Sequence, residues 1–272
     1  TIGFNNTAAA SLCIDAMISG DYNVAMGTLS LSADTTGNKS TAIGYGALHL
    51  QNVTNGADMF NTAVGFGAGA AVTTGIRNTL IGGLSGDAIT TASYNTALGF
   101  ASLGTTTTGT LNVAIGDNAL TANTTGASNV AVGQAALGSN TTASNNTAVG
   151  QSALLTNTTG ASNTALGRQS MYWNTTVSSN TATAYHSLLG NTTGSNNTAN
   201  GYEALGSNTT GANNVALGAS ALDANTTASN NTAVGHNSLG ASTTGGGSNT
   251  CIGYTSGRYI TTGQDNVFVG MN

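Results

Sequence analysis

Proline is missing altogether from this 272-residue chain, and charge is nearly so: 13 residues are ionic, 9 acidic and 4 basic. That is 5%, against about 25% for an ordinary globular domain. With a net charge of −5, the basic footprint needed for nucleic acid or an anionic membrane is excluded. No run of 18 apolar residues occurs, so no helix is expected to enter a bilayer. Without proline, and with glycine off any three-residue period, collagen is excluded. There is no initiator methionine, signal-peptide pattern or lipid-anchor motif, so the chain reads as a fragment or a processed product.

Chemistry-bearing side chains are equally thin. The three histidines, His49, His186 and His236, are far apart in sequence. No Ser-His-Asp, H-E-x-x-H, phosphate-loop, EF-hand or nonapeptide calcium pattern is present. Catalysis, metal ligation and cofactor binding are therefore not expected, and the chain reads as a non-enzyme.

What is present is a period. A segment of the form N-[TV]-A-[VIL]-G recurs with its last residue at 10, 27, 44, 65, 82, 99, 116, 133, 150, 167, 184, 201, 218, 235, 253 and 270. The spacing is 17, except for 21 before residue 65 and 18 before residue 253. Disordered low-complexity chains lack such hydrophobic register. Self-similarity at a short fixed period signals a solenoid.

Let the closing glycine be position 0. Position −4 is Asn in all units but that of Ser40, −3 is Thr or Val, −2 is Ala except at Leu80, Cys251 and Phe268, and −1 is mostly Val, Ile or Leu. Position 0 is Gly except at Ala10 and Ala184; +3 is small, +4 is mostly Leu, and +8 and +9 are mostly Thr. Short β-branched runs broken by Gly and Asn/Thr turns predict two short strands per coil, and 17 residues leave no room for a helix. The fold class expected is all-β: a parallel β-solenoid, or β-roll, of about sixteen coils forming one rod over 1–272, on the order of 75–80 Å long at ~4.8 Å per coil. Irregular coils are expected near 48–61 and 168–202.

The −1 and +4 side chains are expected to fill the interior. The Asn column at −4 is expected to form an amide ladder between coils. The −4, −2 and 0 residues then share the opposite strand face. Asn, Ala and Gly there, almost without charge, predict that a sister chain covers it.

These units, NTAVG, NVAIG and STAIG followed by a small-residue-plus-Leu segment and a Gly turn, resemble the head repeats of YadA-like trimeric autotransporter adhesins. Phage tail-fibre and other surface-fibre repeats are similar. The resemblance covers the whole chain. It implies a left-handed parallel β-roll, usually trimeric, in an extracellular fibre that projects from a surface and adheres. The spacing of 17 exceeds the somewhat shorter unit typical of those heads, and no coiled-coil stalk or membrane anchor is present; both departures favour a phage fibre or a separately assembled filament. Neither end shows a polar cap, so end-to-end stacking joins homotrimer formation as an expected mode of self-association.

Several residues stand out as contact candidates. Position +1 holds Tyr45, Phe66, Phe100, Arg168, Tyr185, Tyr202, His236 and Tyr254. Aromatics on successive coils can stack on sugar rings of a cell-surface glycan, or cover a corner of the roll. The pattern breaks most over 168–202, where Thr183, Ala184 and Asn200 depart from consensus. Met171, Tyr172 and Trp173, the only tryptophan, lie nearby. The insertion QNVTNGADMF, residues 51–60, reads as a protruding loop. Asn123, Asn140, Asn157, Asn174, Asn191, Asn208 and Asn225 each open an N-T-T sequon. In a eukaryotic secreted protein these are glycan acceptors; otherwise they are turn residues. Ice binding is the remaining alternative, but it calls for T-x-T on one face, and the repeat offers adjacent Thr in a turn. Cys13 and Cys251 are fourteen coils apart, too far for an intrachain bridge in an unfolded-back rod. Small buried residues or an end-to-end link are the two readings of that pair.

Overall fold

The computed structural model describes residues 3–241 and 245–271. The threonine pair at 243 and 244 therefore lies outside the described residues. The described chain is all-β and without helix: a parallel β-solenoid with one three-residue strand per coil. It divides into two compact units, residues 1–135 and 136–272.

In the first unit the strands run from Thr7–Ala9 to Val130–Val132. Each pairs in parallel with the next at strict column register, as in Thr62↔Thr79, Ala63↔Leu80 and Val64↔Ile81. In the second unit they run from Thr147–Val149 to Val267–Val269 with the same register, as in Ala165↔Ala182. The strand is the −3 to −1 segment.

The opposite limb of the coil is not a second strand, as the β-branched reading of the sequence led us to expect. It is a chain of consecutive turns in which +2 and +4 are left-handed: φ is 56° at Leu84, 50° at Leu48 and 51° at Leu137. The amides alternate in use. Those of +3, +5 and +7 bond three residues back within the coil, as in Ala47 to Gly44, His49 to Gly46 and Gln51 to Leu48. Those of +2, +4 and +6 bond a neighbouring coil, as in Gly46 to Thr28, Leu48 to Ala68 and Leu50 to Ala70. A left-handed L-residue costs roughly 1–2 kcal/mol. A buried Leu contributes roughly 1.5–3 kcal/mol, and Leu at +4 is fully buried. Burial offsets the strain, so Leu stays where glycine would be the easier backbone choice.

The strand faces are reversed from the sequence-based assignment. Ala at −2 and Asn at −4 point inward and are essentially inaccessible. Thr or Val at −3 and Val, Ile or Leu at −1 point outward and are half-buried to exposed. The sister-chain cover predicted for the Asn/Ala face is thus supplied by the chain's own turn limb. The lumen at −2 is shallow because +3 and +4 of that limb already occupy it, leaving Ala-sized space.

Where +4 is Gly, the volumes trade. Gly69 and Gly86 flank Leu80, the one leucine at −2, and a Cβ at either would fall 2.6 to 2.8 Å from a Leu80 methyl. Val72 and Ile89 at +7, both fully buried, complete that apolar filling. Cys251 at −2 is paired with Gly257 at +4 in the same way.

Elsewhere the interior is polar and largely hydrogen-bonded; among the described residues Ser85 Oγ, Ser170 Oγ, Thr183 Oγ1 and Asn225 Oδ1 are buried without a partner. The expected ladder at −4 is present: Asn78 N donates to Asn61 Oδ1 at 2.9 Å, and Asn95 and Asn112 continue it. A second ladder runs at +7. Asn157 Nδ2 donates to Asn140 Oδ1 at 3.0 Å, and Asn174, Asn191, Asn208 and Asn225 each donate to the Asn before. The two ladders converge on one carbonyl per coil. Asn197 and Asn208, for example, both donate to Gly211 O at 2.9 Å. Each amide therefore bonds along the stack and across it, which is how a buried polar column avoids its desolvation penalty.

Ser40, too short for the −4 ladder, is compensated by Gln51. The Gln51 amide donates to Ser40 Oγ at 3.0 Å and to Asp34 Oδ2 at 2.6 Å, and its Oε1 accepts from Asn61 Nδ2 at 2.8 Å. Gln51 thereby carries the ladder across the inserted coil. Position 0 needs glycine for two reasons. Its φ is 131° at Gly150, and a Cβ there would meet Gly167 C at 2.6 Å. Ala184 sits in this column at φ 101°, a strained exception.

Candidate binding surface

The outward features form columns of exposed side chains. At +1 in the first unit, Tyr45 and Phe66 stack with centroids 5.4 Å apart and planes 11° apart. Gly83 follows, and the Phe100 ring leans over it, 3.5 Å from where a Cβ would stand. In the second unit Tyr185 and Tyr202 stack at 5.6 Å and 16°, with the Arg168 guanidinium 5.6 Å from the Tyr185 centroid. The Tyr185 ring also packs on His186 at 3.7 Å. His186 Nε2 is 2.8 Å from Gln169 Oε1, and its Nδ1 is 3.8 Å from Glu203 Oε1. The Glu203 carboxylate, as hydrogen-bond partner and as charge, pushes the Tyr202 hydroxyl pKa up. His236 and Tyr254 form a third pair at 5.5 Å.

Tyr172 and Trp173 belong to a different part of the coil, +5 and +6. They pack edge-to-face on each other at 4.7 Å, and Trp173 is half exposed. The irregular segment 168–202 therefore carries two aromatic groups in separate columns, where the sequence suggested one patch.

The sequon asparagines are a correction of another kind. Asn123, Asn140, Asn157, Asn174, Asn191, Asn208 and Asn225 are all fully buried, and from Asn157 to Asn225 each Nδ2 donates both to the preceding Asn and to a backbone carbonyl. The folded chain presents none of these amides to a glycosyltransferase. Their column is interior, not a turn tip. The exposed turn residue is the +9 threonine, while the +8 hydroxyl bonds the next coil's carbonyl, as in Thr73 to Thr90 O at 3.1 Å.

Sequence reasoning missed one column. At +12, five residues from the next closing glycine, the first unit places Tyr22, Lys39, Phe60, Arg77, Tyr94 and Leu111, all left-handed. Lys39 Nζ lies 5.2 Å from the Phe60 centroid; the Arg77 guanidinium lies 5.8 Å from Phe60 and 5.5 Å from Tyr94. Lys39 also pairs with Asp58 at 2.7 Å, holding that carboxyl below its usual range. The signal was legible: counting modulo 17 past the four-residue insertion aligns these six. In the second unit the same column holds small Ser and Asn residues such as Ser162, Asn196 and Asn213.

No family model matches this chain, and no curated protein or solved structure is significantly similar to it. Among the described residues, no helix is long and apolar enough to cross a membrane, and no three His, Cys, Asp or Glu side chains converge to hold a metal ion. Cys13 and Cys251 are free thiols; burial pushes the Cys251 thiol pKa up, and Cys13 is partly exposed.

Grooves open on the turn limb in both units; one of 500 Å³ lies in the second unit among Asp223, Asn237, Gly240, Arg258 and Tyr259, and two more border the aromatic column. One, of 390 Å³, lies in the first unit beside Tyr45 and Phe66, with Gly46 and Gly67 in its floor. The other, of 220 Å³, lies in the second unit among His186, Leu189, Glu203 and Asp223. Asp87 and Asp223 occupy the same +5 column in the two grooves, and burial pushes both carboxyls up.

Proposed function

We propose that this chain is a structural and adhesive segment of an extracellular fibre, non-catalytic, of the kind found in YadA-like adhesin heads and phage tail fibres. It is built by coil stacking and by association with sister chains, as a homotrimer or an end-to-end filament. The observation that carries the reading is the outward strand face. Thr or Val at −3 and, except at Thr183 and Asn200, an apolar residue at −1 recur coil after coil without a single charge, and Met26, Leu98, Leu166 and Leu217 are all more than a third exposed. An uncharged face with a repeated exposed apolar rank in each unit is normally covered in a soluble protein. Repetition at one fixed spacing lets an identical face match it coil for coil.

Sedimentation and negative-stain electron microscopy test this. The expected mass is a multiple of 26.6 kDa, and Leu98→Glu with Leu166→Glu is expected to reduce it to the monomer. A native chain that sediments as a monomer and forms no rod overturns the reading.

Glycan binding is the second reading, favoured by the exposed Tyr45–Phe66 stack bordering a groove. Ice binding has less support, since Thr183 is the one hydroxyl of the outward face outside the −3 rank and the −1 rank is otherwise of uneven side-chain length. No thermal hysteresis is expected from the purified chain.

A further inference from the structure

The +2 position is left-handed in every described coil of the first unit, and the backbone there accepts bulky residues. Leu29 has φ 60° and Leu84 φ 56°, while Gly46 and Gly67 between them have φ 64° and 63°. Glycine at those two coils is therefore not demanded by conformation. Nor is it demanded by space at Gly46, where a Cβ would meet nothing within 4 Å. What the two glycines do is leave a groove open. Leu29 and Leu84 close its ends, three coil rises or about 14 Å apart. The Tyr45 and Phe66 rings line it, as do the small Ala70 and Ala71.

We propose that this groove is a binding subsite for an uncharged pyranose unit of a glycan. Its 390 Å³ falls within the range of small-ligand sites, roughly 300–1,000 Å³. Aromatic rings beside a glycine floor suit the apolar C–H face of a sugar ring. The polar side-chain groups among its lining residues are few: the Tyr45 hydroxyl, the His49 imidazole, whose Nδ1 is taken by Ser32 Oγ at 2.7 Å, and the Asp87 carboxyl. No Lys or Arg lines the groove, so an anionic sugar finds no counter-charge and meets Asp87. The partial burial that pushes the Asp87 carboxyl up also disfavours it as the sole partner of a cation. The inference rests on the glycan reading of the aromatic column. It is independent of the outward strand face.

The test is a titration of the intact chain with methyl pyranosides of glucose, galactose, mannose and N-acetylglucosamine, followed through the Gly46 and Gly67 amide resonances. At least one glycoside is expected to shift both amides saturably at millimolar concentration. Gly46→Leu, which copies Leu29 and Leu84, is expected to weaken that glycoside at least tenfold while leaving the melting temperature within about 2 °C. Tyr45→Ala is expected to weaken it as well.

Any of these results overturns the proposal: no shift with any of the four glycosides, shifts with tetramethylammonium but with no glycoside, or unaltered glycoside affinity in Gly46→Leu. Loss of self-association in Gly46→Leu without glycoside binding also overturns it, and assigns the groove to a second copy. Rods without glycoside binding remove this inference alone, whereas glycoside binding by a chain that never assembles removes the fibre reading alone.

Discussion

The two units fill the same interior by different chemistry. From Asn140 to Asn225 the +7 column of the second unit is an unbroken amide ladder. In the first unit the same column reads Met17, Asp34, Gln51, Val72, Ile89, Thr106 and Asn123. The coil tolerates that variety because −2, +4 and +7 share one volume. Ala, Leu and Asn fill it in the commonest coil, as at Ala148, Leu154 and Asn157, and Leu80, Gly86 and Ile89 fill it in one. The surfaces differ in the same sense. The first unit adds rings and cations at +12 and an open groove at +2, whereas the second keeps Ser and Asn at +12. Stability is held by the trio as a set, and individuality is placed where the trio does not reach.

Breaking the apolar trio has the largest expected effect. Leu80→Ala leaves a void that Gly69 and Gly86 cannot fill, and should cost about 3–5 kcal/mol in urea unfolding. Adding Gly86→Leu and Ile89→Asn, which restores the common trio, should recover more than half of that. If the triple variant is no better than the single one, the volume trade is not the governing constraint.

Asn157→Val in the second unit removes a link from the ladder without the compensating glycine at +4. It strips the Asn174 amide of an acceptor and Gly160 O of a donor, and should cost about 3 kcal/mol. Hydrogen exchange of the flanking coils should report the loss locally.

A smaller effect of opposite sign is expected at Ala184. Strain of a non-glycine residue at such a φ is roughly 1–3 kcal/mol, and glycine returns roughly 0.5–1 kcal/mol of it as chain entropy. Ala184→Gly should therefore stabilise the second unit by about 1 kcal/mol, raising the urea midpoint.

The smallest effect concerns Asp87 and Asp223, the corresponding +5 carboxyls of the two units. Burial raises the folded pKa of both above the ordinary aspartate range. The folded state then binds the proton more tightly, so their contribution to stability is present below the unfolded value and is lost as pH rises through the folded one. Asp87→Asn and Asp223→Asn should each raise the melting temperature slightly at pH 7 and leave it unchanged at pH 3. A gain that persists at pH 3 would contradict the assignment to ionisation.

The two units also differ in how legible they were. The second is nearly consensus, and its period, strand and −4 ladder follow from counting alone. The first was harder: the +12 column is displaced by the insertion before residue 65, and its members share no residue type. Trp173 drew notice by rarity, yet rarity gives no address, and it lies in a different column from Tyr185. The sequons matched a surface motif, but a three-residue pattern says nothing of depth.

The sequence by itself determined the coil, its 17-residue spacing, the strand position and the parallel in-register stacking, because each closing segment restarts the register, so that even the added residues before 65 and 253 leave the strand columns aligned. It did not determine which strand face is inside. Alternation assigns faces only when one is apolar and the other charged, and here neither carries charge. The decision fell to the turn limb. Its left-handed Leu at +4 fills the lumen until only alanine fits at −2, and the amides at −4 and +7 reach the backbone carbonyl they share only when both point inward. That closure exists solely in three dimensions.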